Sequence, residues 1–434
     1  MANHSWYGPW LQRKHKYAAS DEPFMDADLF HSLAAGKGLP PIHQVSTFPF
    51  HNVADGASRF LGVSKGGERP YARIYTRMGN PTTEHLERVL FQLECQHIID
   101  KALAADEKTP TIGVLICSSG MAAISCTLLS LLQSGDEVIA GNVYGCTDSL
   151  LRSLEHKFGI KTHWVDMTDT GQVKAVLEAH PRVAALFLES PDNPTLAISD
   201  IRELSKLCER HQVPLIVDNT FASSYLQQPF RLGADVVVHS MTKYINGHSS
   251  SVGGCIVGPF KFMQETVFPI YKDLGPTPSP FESWLNALCL QDLGRRVDAA
   301  SRSAQQIAEF LDAHERIARV RFPFLASHPQ HALARSQMRM GGAMISFDLD
   351  GGMEPAKKLM NFFAGKDTPM ELAVSLGCAV SYIEHPASMT HAGIPREDRL
   401  KRGLGDELVR LSVGLEGASI LIASLEKGLK KAYR

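Results

Sequence analysis

Short apolar runs alternate with amphipathic stretches between about residues 81 and 290. Seven of the runs are rich in valine, isoleucine and leucine and end in polar residues, a pattern typical of buried strands. They are residues 111–117, 137–143, 162–167, 184–190, 214–219, 235–240 and 254–258. Amphipathic stretches such as 120–135 and 200–212 lie between the early runs and predict helices. Strands that alternate with helices predict an α/β fold with a mostly parallel sheet covered by helices.

The two ends of the chain have different patterns. Residues before about position 80 show weak periodicity and much Gly, Pro and His, which predicts an extended arm with short helices. An amphipathic stretch over 286–315 leads into a second unit, where 341–350 and 408–415 predict strands and 354–365 predicts a helix. We therefore predict three parts: an N-terminal arm (1–80), an α/β domain (81–290) and a smaller α+β C-terminal domain (291–434).

Composition narrows the class of protein. The 434 residues are 44% hydrophobic and 21% charged, which is typical of a folded globular protein. A formal net charge of −2 argues against nucleic acid or an anionic membrane as a partner. Neither a secretory h-region nor a run of about 18 apolar residues occurs, so we predict a cytoplasmic protein without membrane spans.

The eight cysteines are scattered and form no CxxC pair, and HExxH does not occur. This pattern predicts neither a disulfide framework nor a metal site.

Polar residues collect where the predicted strands end, which is where ligands bind in open α/β sheets. They are Ser118 to Met121, Tyr144, Glu189, Asn193, Asp218, Ser240, Thr242 and Lys243.

Each of these residues has an ordinary role when it is considered alone. The segment "CSSGMAA" before a helix suits a phosphate, but similar turns often serve packing only. Asp218 is either a turn aspartate or a carboxylate that holds a protonated ring nitrogen, and Tyr144 is either a core residue or a stack for a flat ring. Lys243 offers an amine for covalent catalysis where a solvated lysine is the usual expectation. Together they indicate one cofactor, pyridoxal 5′-phosphate.

With these residues in view, the chain from about residue 40 resembles the pyridoxal-phosphate-dependent enzymes of Cys/Met metabolism, which have fold type I. The motifs that carry the resemblance are "YTRMGNPTTEHLE", "SSGMAAI", "VYGCT", "ESPDNPT", "VDNTFASSY", "HSMTKYINGH", "EHPASMTH" and "RLSVGLEG".

The resemblance implies roles for individual residues. Lys243 matches the lysine that binds the cofactor covalently, Asp218 the partner of the pyridinium nitrogen, and Tyr144 the stacking residue that also acts as acid or base. Four residues match the phosphate cradle: Gly120, Met121, Ser240 and Thr242.

Other implied roles concern the substrate and a second subunit. Arg410 matches the arginine that binds the amino-acid carboxylate, helped by Ser375 and Asn193. Tyr75 and Arg77 match residues that reach the cofactor phosphate of a neighbouring subunit, although a solvated loop is the ordinary interpretation of "YTR". The family also implies a homotetramer built from two dimers.

The pocket residues are closest to those of methionine γ-lyases. Cys146, together with Lys272 and Asp273, resembles a trio found there, and Val374 replaces a glutamate that is usual in cystathionine-cleaving members. The expected reaction is the α,γ-elimination of L-methionine and related sulfur amino acids. An O-acylhomoserine sulfhydrylase and a cystathionine γ-lyase stay open as alternatives, as does a pyridoxal-phosphate-binding regulator without catalysis. The ordinary alternatives for the trio are a packing role for Cys146 and a surface ion pair for Lys272 and Asp273.

Overall fold

A computed structural model describes residues 6–7, 10–11, 25, 27–35, 38–64, 74–104 and 112–434. The predicted N-terminal arm therefore lies partly outside the described residues. The first predicted strand begins inside them at Ile112, and residue 111 lies outside.

A seven-stranded sheet forms the centre of the chain and has the spatial order β1-β7-β6-β5-β4-β2-β3. Six strands point the same way, and β7 runs antiparallel to both of its neighbours. The strands are β1 (Ile112–Cys117), β2 (Glu137–Ala140), β3 (Lys161–Trp164), β4 (Val183–Glu189), β5 (Leu215–Asp218), β6 (Val236–Ser240) and β7 (Gly254–Pro259). Each lies in one of the seven predicted runs or within a residue of it, so the mostly parallel sheet predicted from the sequence is confirmed.

Helices cover this sheet and precede it. The described helices up to the end of the sheet are α1 (Ala27–Ala35), α2 (Val53–Ser64), α3 (Pro81–Ala104), α4 (Gly120–Leu131), α5 (Gly145–Phe158), α6 (Thr170–Ala179), α7 (Ile201–Arg210), α8 (Ser223–Leu226) and a 3₁₀ turn (Pro229–Leu232). After β7 follow α9 (Phe260–Phe262), a π-helical turn (Met263–Val267), α10 (Phe268–Leu274) and α11 (Pro280–Leu290).

A second sheet of five strands forms the C-terminal unit, in the order β10-β11-β12-β9-β8. Only β10 and β11 pair in parallel. The elements are α12 (Leu293–Asp312), β8 (Ile317–Arg321), α13 (His331–Gln337), β9 (Met344–Leu349), α14 (Met353–Phe363), β10 (Met370–Leu372), β11 (Ser381–Glu384), a 3₁₀ turn (Pro386–Ser388), α15 (Arg396–Lys401), β12 (Leu408–Ser412) and α16 (Ala418–Ala432).

The two strands and the helix predicted for this unit are present as β9, β12 and α14. Three further strands, β8, β10 and β11, were not predicted. β8 carries two arginines in five residues, and β10 and β11 are only three and four residues long. Such short or charged segments lack the apolar periodicity that identifies a strand.

The long amphipathic stretch over 286–315 is two helices, α11 and α12, that are separated at Gln291 and Asp292. Arg296 of α12 is buried and donates to the carbonyl oxygens of Tyr244 at 2.9 Å and Cys289 at 2.9 Å. Tyr244 follows Lys243, so the first turn of α12 supports the loop that carries this lysine.

Residues near the N-terminus pack against the chain's own α/β unit. Trp10 Nε1 donates to Asp235 Oδ1 at 2.8 Å, and the Tyr7 hydroxyl donates to the carbonyl oxygen of Val213 at 2.9 Å. Both aromatic side chains are buried. This part of the predicted arm is therefore held without a second subunit.

Residues 38–64 differ from these N-terminal residues, because several of their apolar side chains are exposed to solvent. Val53 is 89% exposed, and Phe60 and Leu61 are both more than half exposed. An apolar patch of this kind is typical of an interaction surface.

Within the described ranges, no helix is both long and apolar enough to cross a membrane.

We expect Asp235→Ala to lower the free energy of unfolding by about 3 kcal/mol, because buried donors would lose their acceptor. Asp235 accepts from Trp10 and also from the backbone N–H of Leu215 at 2.8 Å. Urea unfolding of the full-length protein measures the change, and Asp367→Ala at an exposed loop position is the control. Equal midpoints for the two variants would contradict this role.

Candidate active site

A cavity of about 290 Å³ opens at the carboxyl ends of β1, β4, β5 and β6, and the C-terminal unit closes one side of it. Eleven residues to which the resemblance assigns a role line this cavity: Gly120, Met121, Tyr144, Asn193, Asp218, Ser240, Thr242, Lys243, Val374, Ser375 and Arg410. Tertiary folding thus brings together side chains that lie up to 290 positions apart in the sequence. Ser119 and Glu189, which also follow or end predicted strands, line the cavity as well.

The start of α4 forms one wall of the cavity. Ser119 caps this helix, and its hydroxyl accepts from the backbone N–H of Ala122 at 3.0 Å. A Cβ atom at Gly120 would lie only 2.6 Å from the Cβ of Ser240, so glycine is needed for the helix to approach β6 this closely. The helix N-terminus, with Ser240 and Thr242 beside it, is a suitable site for a phosphate.

Lys243 follows β6 and extends its amine into the cavity. Its Nζ donates to Ser375 Oγ at 2.8 Å. Burial and the neighbouring Arg410 lower the pKa of Lys243 to about 8, against an opposing effect of Glu384. About a tenth of the amine is therefore neutral, and nucleophilic, at pH 7.

Two buried carboxylates lie side by side at the ends of β4 and β5, where Glu189 pairs in register with Asp218. Burial raises the pKa of both groups, and for Glu189 the charge of Asp218 adds to the effect. Among the described residues, neither forms an ion pair with an arginine or lysine. The Asp218 carboxylate accepts from the Thr220 N–H at 2.9 Å. This part of the cavity therefore favours a bound cation.

Tyr144 precedes α5, and its backbone N–H donates to Glu189 Oε1 at 2.8 Å. Its ring is 40% exposed and faces the cavity. A hydrogen bond with Cys146, followed by burial, raises the pKa of Tyr144 to about 12. The hydroxyl is therefore protonated at neutral pH.

Arg410 lies in the middle strand of the second sheet and is buried. Its NH1 donates to Asn193 Oδ1 at 3.0 Å, and its NH2 donates to the carbonyl oxygen of Ser375 at 3.0 Å. The same NH2 lies 2.8 Å from Oε1 of Glu384, the residue directly opposite on β11. A guanidinium held in this way has a defined orientation and is suited to bind a carboxylate.

Ser375 connects the lysine to this arginine, since its hydroxyl accepts from Lys243 and its carbonyl accepts from Arg410. Its φ of 98° is in a region that non-glycine residues rarely adopt. Backbone strain of this kind occurs often at functional sites.

Three residues predicted for the site do not line this cavity: Tyr75, Arg77 and Cys146. Tyr75 and Arg77 lie on a surface segment, where the Arg77 guanidinium is 5.6 Å from the Tyr75 ring. Cys146 is exposed and interacts with the Tyr144 hydroxyl. The Lys272 and Asp273 side chains pair with each other at 2.5 Å, also outside the cavity.

The structure adds residues for which the sequence suggested no role. Thr220, Phe221, Val252 and Thr390 line the cavity, and Glu384 lies behind Arg410. Several of them belong to the motifs "VDNTFASSY" and "EHPASMTH", and membership of these motifs was their one signal in the sequence.

A larger cavity of about 470 Å³ lies on the other side of Glu189. Two of its arginines already have carboxylate partners: Arg321 pairs with Asp348 at 2.6 Å and Arg402 with Asp148 at 2.8 Å. Of the predicted site residues only Glu189 lines it, so the smaller cavity is the candidate active site.

Comparison with known proteins gives close relatives along nearly the whole chain. An L-methionine gamma-lyase from Fusobacterium nucleatum subsp. polymorphum is 41% identical over 394 residues, which are 90% of this chain and 93% of that protein. An O-succinylhomoserine sulfhydrylase from Pseudomonas aeruginosa is 37% identical over 419 residues, which are 93% of this chain and 97% of that protein.

Solved structures show the same fold. The crystal structure of cystathionine gamma synthase from Xanthomonas oryzae pv. oryzae, in complex with aminoacrylate and cysteine, matches with a TM-score of 0.82 and 35% identity. The match covers 95% of this chain and 99% of that one, and it confirms the predicted fold class.

The sequence model of one family, described as Cys/Met metabolism PLP-dependent enzyme, matches residues 30–430. The chain therefore belongs to the pyridoxal-phosphate-dependent enzymes of Cys/Met metabolism.

Proposed function

We propose that this enzyme catalyses the α,γ-elimination of L-methionine and related sulfur amino acids. The reaction consumes one water and yields 2-oxobutanoate, ammonia and methanethiol. One observation carries the proposal: the Lys243 amine and the Arg410 guanidinium lie in one cavity, and both donate hydrogen bonds to Ser375. An amine and a carboxylate-binding arginine that contact the same residue are placed to act on one α-amino acid substrate.

The residues in the cavity fit pyridoxal 5′-phosphate. The adjacent carboxylates Asp218 and Glu189 lack an arginine or lysine partner among the described residues, and a protonated ring nitrogen would supply the missing positive charge. At the other end of the cavity, Gly120 lets the start of α4 approach Ser240 closely, so that the helix N-terminus and the Ser240 hydroxyl can bind one phosphate. We assign Met121 and Thr242 to the same phosphate end.

The cofactor, when bound, supplies an aldehyde that condenses with amines and a cationic ring that accepts electrons from the substrate. Lys243 is the residue that we expect to bind it covalently. Released by the substrate amine, the Lys243 amine would take the proton from the substrate Cα, a role that its pKa of about 8 suits. Asp218 would hold the proton on the ring nitrogen.

Tyr144 is placed to act at the sulfur end of the reaction. Its ring lines the cavity, and its raised pKa keeps a proton on the hydroxyl. A protonated hydroxyl can donate to a departing thiolate, which is the step that releases methanethiol. The same ring offers a face for stacking.

The substrate carboxylate would bind to Arg410, with Asn193 and Ser375 keeping the guanidinium in place. Glu384 neutralises this arginine in the free enzyme, and its Oε2 is buried without a hydrogen-bond partner among the described residues. A substrate carboxylate therefore arrives next to an existing carboxylate, so Glu384 weakens as well as orients the binding site.

The side-chain end of the pocket favours a thioether over a charged group. Val374 lines the cavity and is 52% exposed, so an apolar surface is available there. We assign Cys146 an influence on substrate choice through its hydrogen bond with Tyr144.

A sulfhydrylase that replaces the γ-substituent of an O-acylhomoserine is the second candidate. The observation in its favour is the similarity to the O-succinylhomoserine sulfhydrylase over 419 residues. It would use Lys243, Asp218 and Tyr144 in the same early steps and then add a thiol at Cγ.

We also propose that a second copy of the chain completes the site, within a tetramer of two dimers. Tyr75 and Arg77 lie outside their own cavity, and residues 38–64 expose apolar side chains. Both features suit a segment that reaches the cofactor phosphate of a neighbouring subunit.

Gly120→Ala should weaken the binding of pyridoxal 5′-phosphate about tenfold or more, because the added Cβ forces α4 away from Ser240. Equilibrium dialysis of the apoprotein against the cofactor measures the change. Gly393→Ala is the matched control, since a Cβ there meets nothing within 4 Å. Equal cofactor affinity in the two variants would contradict the assignment of the cofactor phosphate to the start of α4.

Purified enzyme with L-methionine alone should release 2-oxobutanoate and methanethiol in equal amounts, and Lys243→Ala should lower turnover at least about 1000-fold. Parallel reactions contain L-cystathionine, or O-acetylhomoserine with sulfide. No product from methionine, with rapid turnover of the acylhomoserine and sulfide, would identify a sulfhydrylase instead.

Variants of Glu384 should change the KM for the amino acid in opposite directions. Glu384→Gln keeps an acceptor for Arg410 but removes a negative charge, so we expect the KM to fall. Glu384→Ala leaves the guanidinium without its partner on β11, so we expect the KM to rise about tenfold. Steady-state kinetics with the best substrate measure both changes, and the same direction of change in both variants would contradict the proposed double role.

A further inference from the structure

Two histidines and a glutamate meet at the edge of the seven-stranded sheet, away from the candidate active site. Glu137 is the first residue of β2, His163 lies in the edge strand β3, and His180 follows the last residue of α6. Oε2 of Glu137 lies 2.7 Å from Nε2 of His163 and 3.2 Å from Nδ1 of His180. One carboxylate oxygen thus faces two imidazole nitrogens.

Main-chain hydrogen bonds hold the three residues in position. The N–H of Glu137 donates to the carbonyl oxygen of Arg182 at 3.0 Å, and the N–H of Val183 donates to that of His180 at 3.2 Å. β2 and β3 pair in parallel, with His163 opposite Ile139, two positions after Glu137. The side chains therefore converge from three elements whose backbones are fixed independently of any ligand.

The donor set and its spacing match a transition-metal site. The three ligand atoms all lie within 4.8 Å of one another, and the two imidazole rings are 4.1 Å apart between centroids. Zinc binds imidazole nitrogen and carboxylate oxygen at about 2.0–2.2 Å, which places tetrahedral ligands about 3.4 Å apart. The shortest of the separations, 2.7 Å between Glu137 and His163, needs to lengthen by less than about 1 Å to match this spacing.

The surroundings of the ligand atoms also suit a metal. The side chains of Glu137 and His163 are partly buried, at 17% and 10% exposure, so few waters compete for the ligand atoms. The ammonium group of Lys161 is a nearby positive charge that would repel a metal ion. Because Lys161 is exposed, this group can turn toward solvent.

We propose that Glu137, His163 and His180 bind a divalent transition-metal ion, with zinc as the ion that this ligand set fits best and water as the fourth ligand. In each ring the metal binds the nitrogen that faces Oε2, and the other ring nitrogen carries the proton of the neutral imidazole. The ion joins the edge strand β3 to β2 and to the end of α6. Its role is to stabilise this edge of the sheet, because no residue of the cluster lines the active-site cavity.

The test is a zinc titration of the full-length holoenzyme after treatment with a chelator, followed by calorimetry. We expect one zinc per chain that is lost, or weakened at least about 100-fold, in both His163→Asn and His180→Asn. His156→Asn is the matched control, since this histidine is exposed on the neighbouring helix α5. A wild-type protein that binds no zinc, or variants that all bind equally well, would overturn the proposal.

Two further measurements distinguish zinc at this cluster from zinc bound at another place on the chain. Thermal unfolding with and without zinc should show a metal-dependent rise in midpoint for the wild type and for His156→Asn only. Binding of Co²⁺ should give the visible absorption of a nitrogen and oxygen site that persists in Cys146→Ser and disappears in His180→Asn. Loss of the cobalt spectrum in the cysteine variant, with retention in His180→Asn, would place the metal elsewhere and reject the cluster. His180 ends a helix and is about one-third exposed, so its asparagine variant should fold even if that of His163 does not.

Discussion

The buried guanidinium of Arg410 connects the C-terminal sheet to the large sheet at the active-site cavity. Arg410 belongs to the middle strand of the C-terminal sheet, yet it donates to Asn193, which follows β4 of the large sheet. A charge this deeply buried requires a partner, and Glu384 supplies it from the adjacent strand. The same arginine holds Ser375, whose hydroxyl in turn accepts from Lys243. Docking of the two units and assembly of the site therefore depend on the same side chain.

Burial then sets the protonation states on which the proposed chemistry depends. The amine of Lys243 loses solvation, which brings its pKa down to about 8, whereas the hydroxyl of Tyr144 has its pKa raised to about 12. At neutral pH the cavity therefore holds a protonated hydroxyl as the acid and an amine of which a fraction is neutral as the base. Burial also raises the pKa of Asp218 and Glu189, an effect that a cationic ring beside them would reverse. The site is thus electrostatically incomplete in a way that its proposed cofactor corrects.

The carboxyl ends of the strands and the β3 edge of the large sheet carry different sites. The active-site cavity lies at the carboxyl ends of its strands, which is the usual ligand-binding position in open α/β sheets, whereas its edge carries the cluster of Glu137, His163 and His180. An edge strand has one free side and needs extra support, which a metal or the existing hydrogen bonds can give. Trp10 and Tyr7 supply comparable support at the loop before β6, where they bind Asp235 and a neighbouring carbonyl.

The α/β architecture, the seven strands of the large sheet and most residues of the cavity are predictable from the sequence, because buried strands and the polar residues at their ends have local signatures. Lys243 and Asp218 were visible in this way. Tertiary structure alone decided the role of Glu384, which meets Arg410 only through the register of β11 and β12. It also decided that Cys146, Lys272 and Asp273 lie outside the cavity, and it brought together the ligands of a metal site where no metal motif occurs. The physical reason is the same in each case: contacts between residues on different elements follow from packing and strand register, and no local spacing in the chain encodes them.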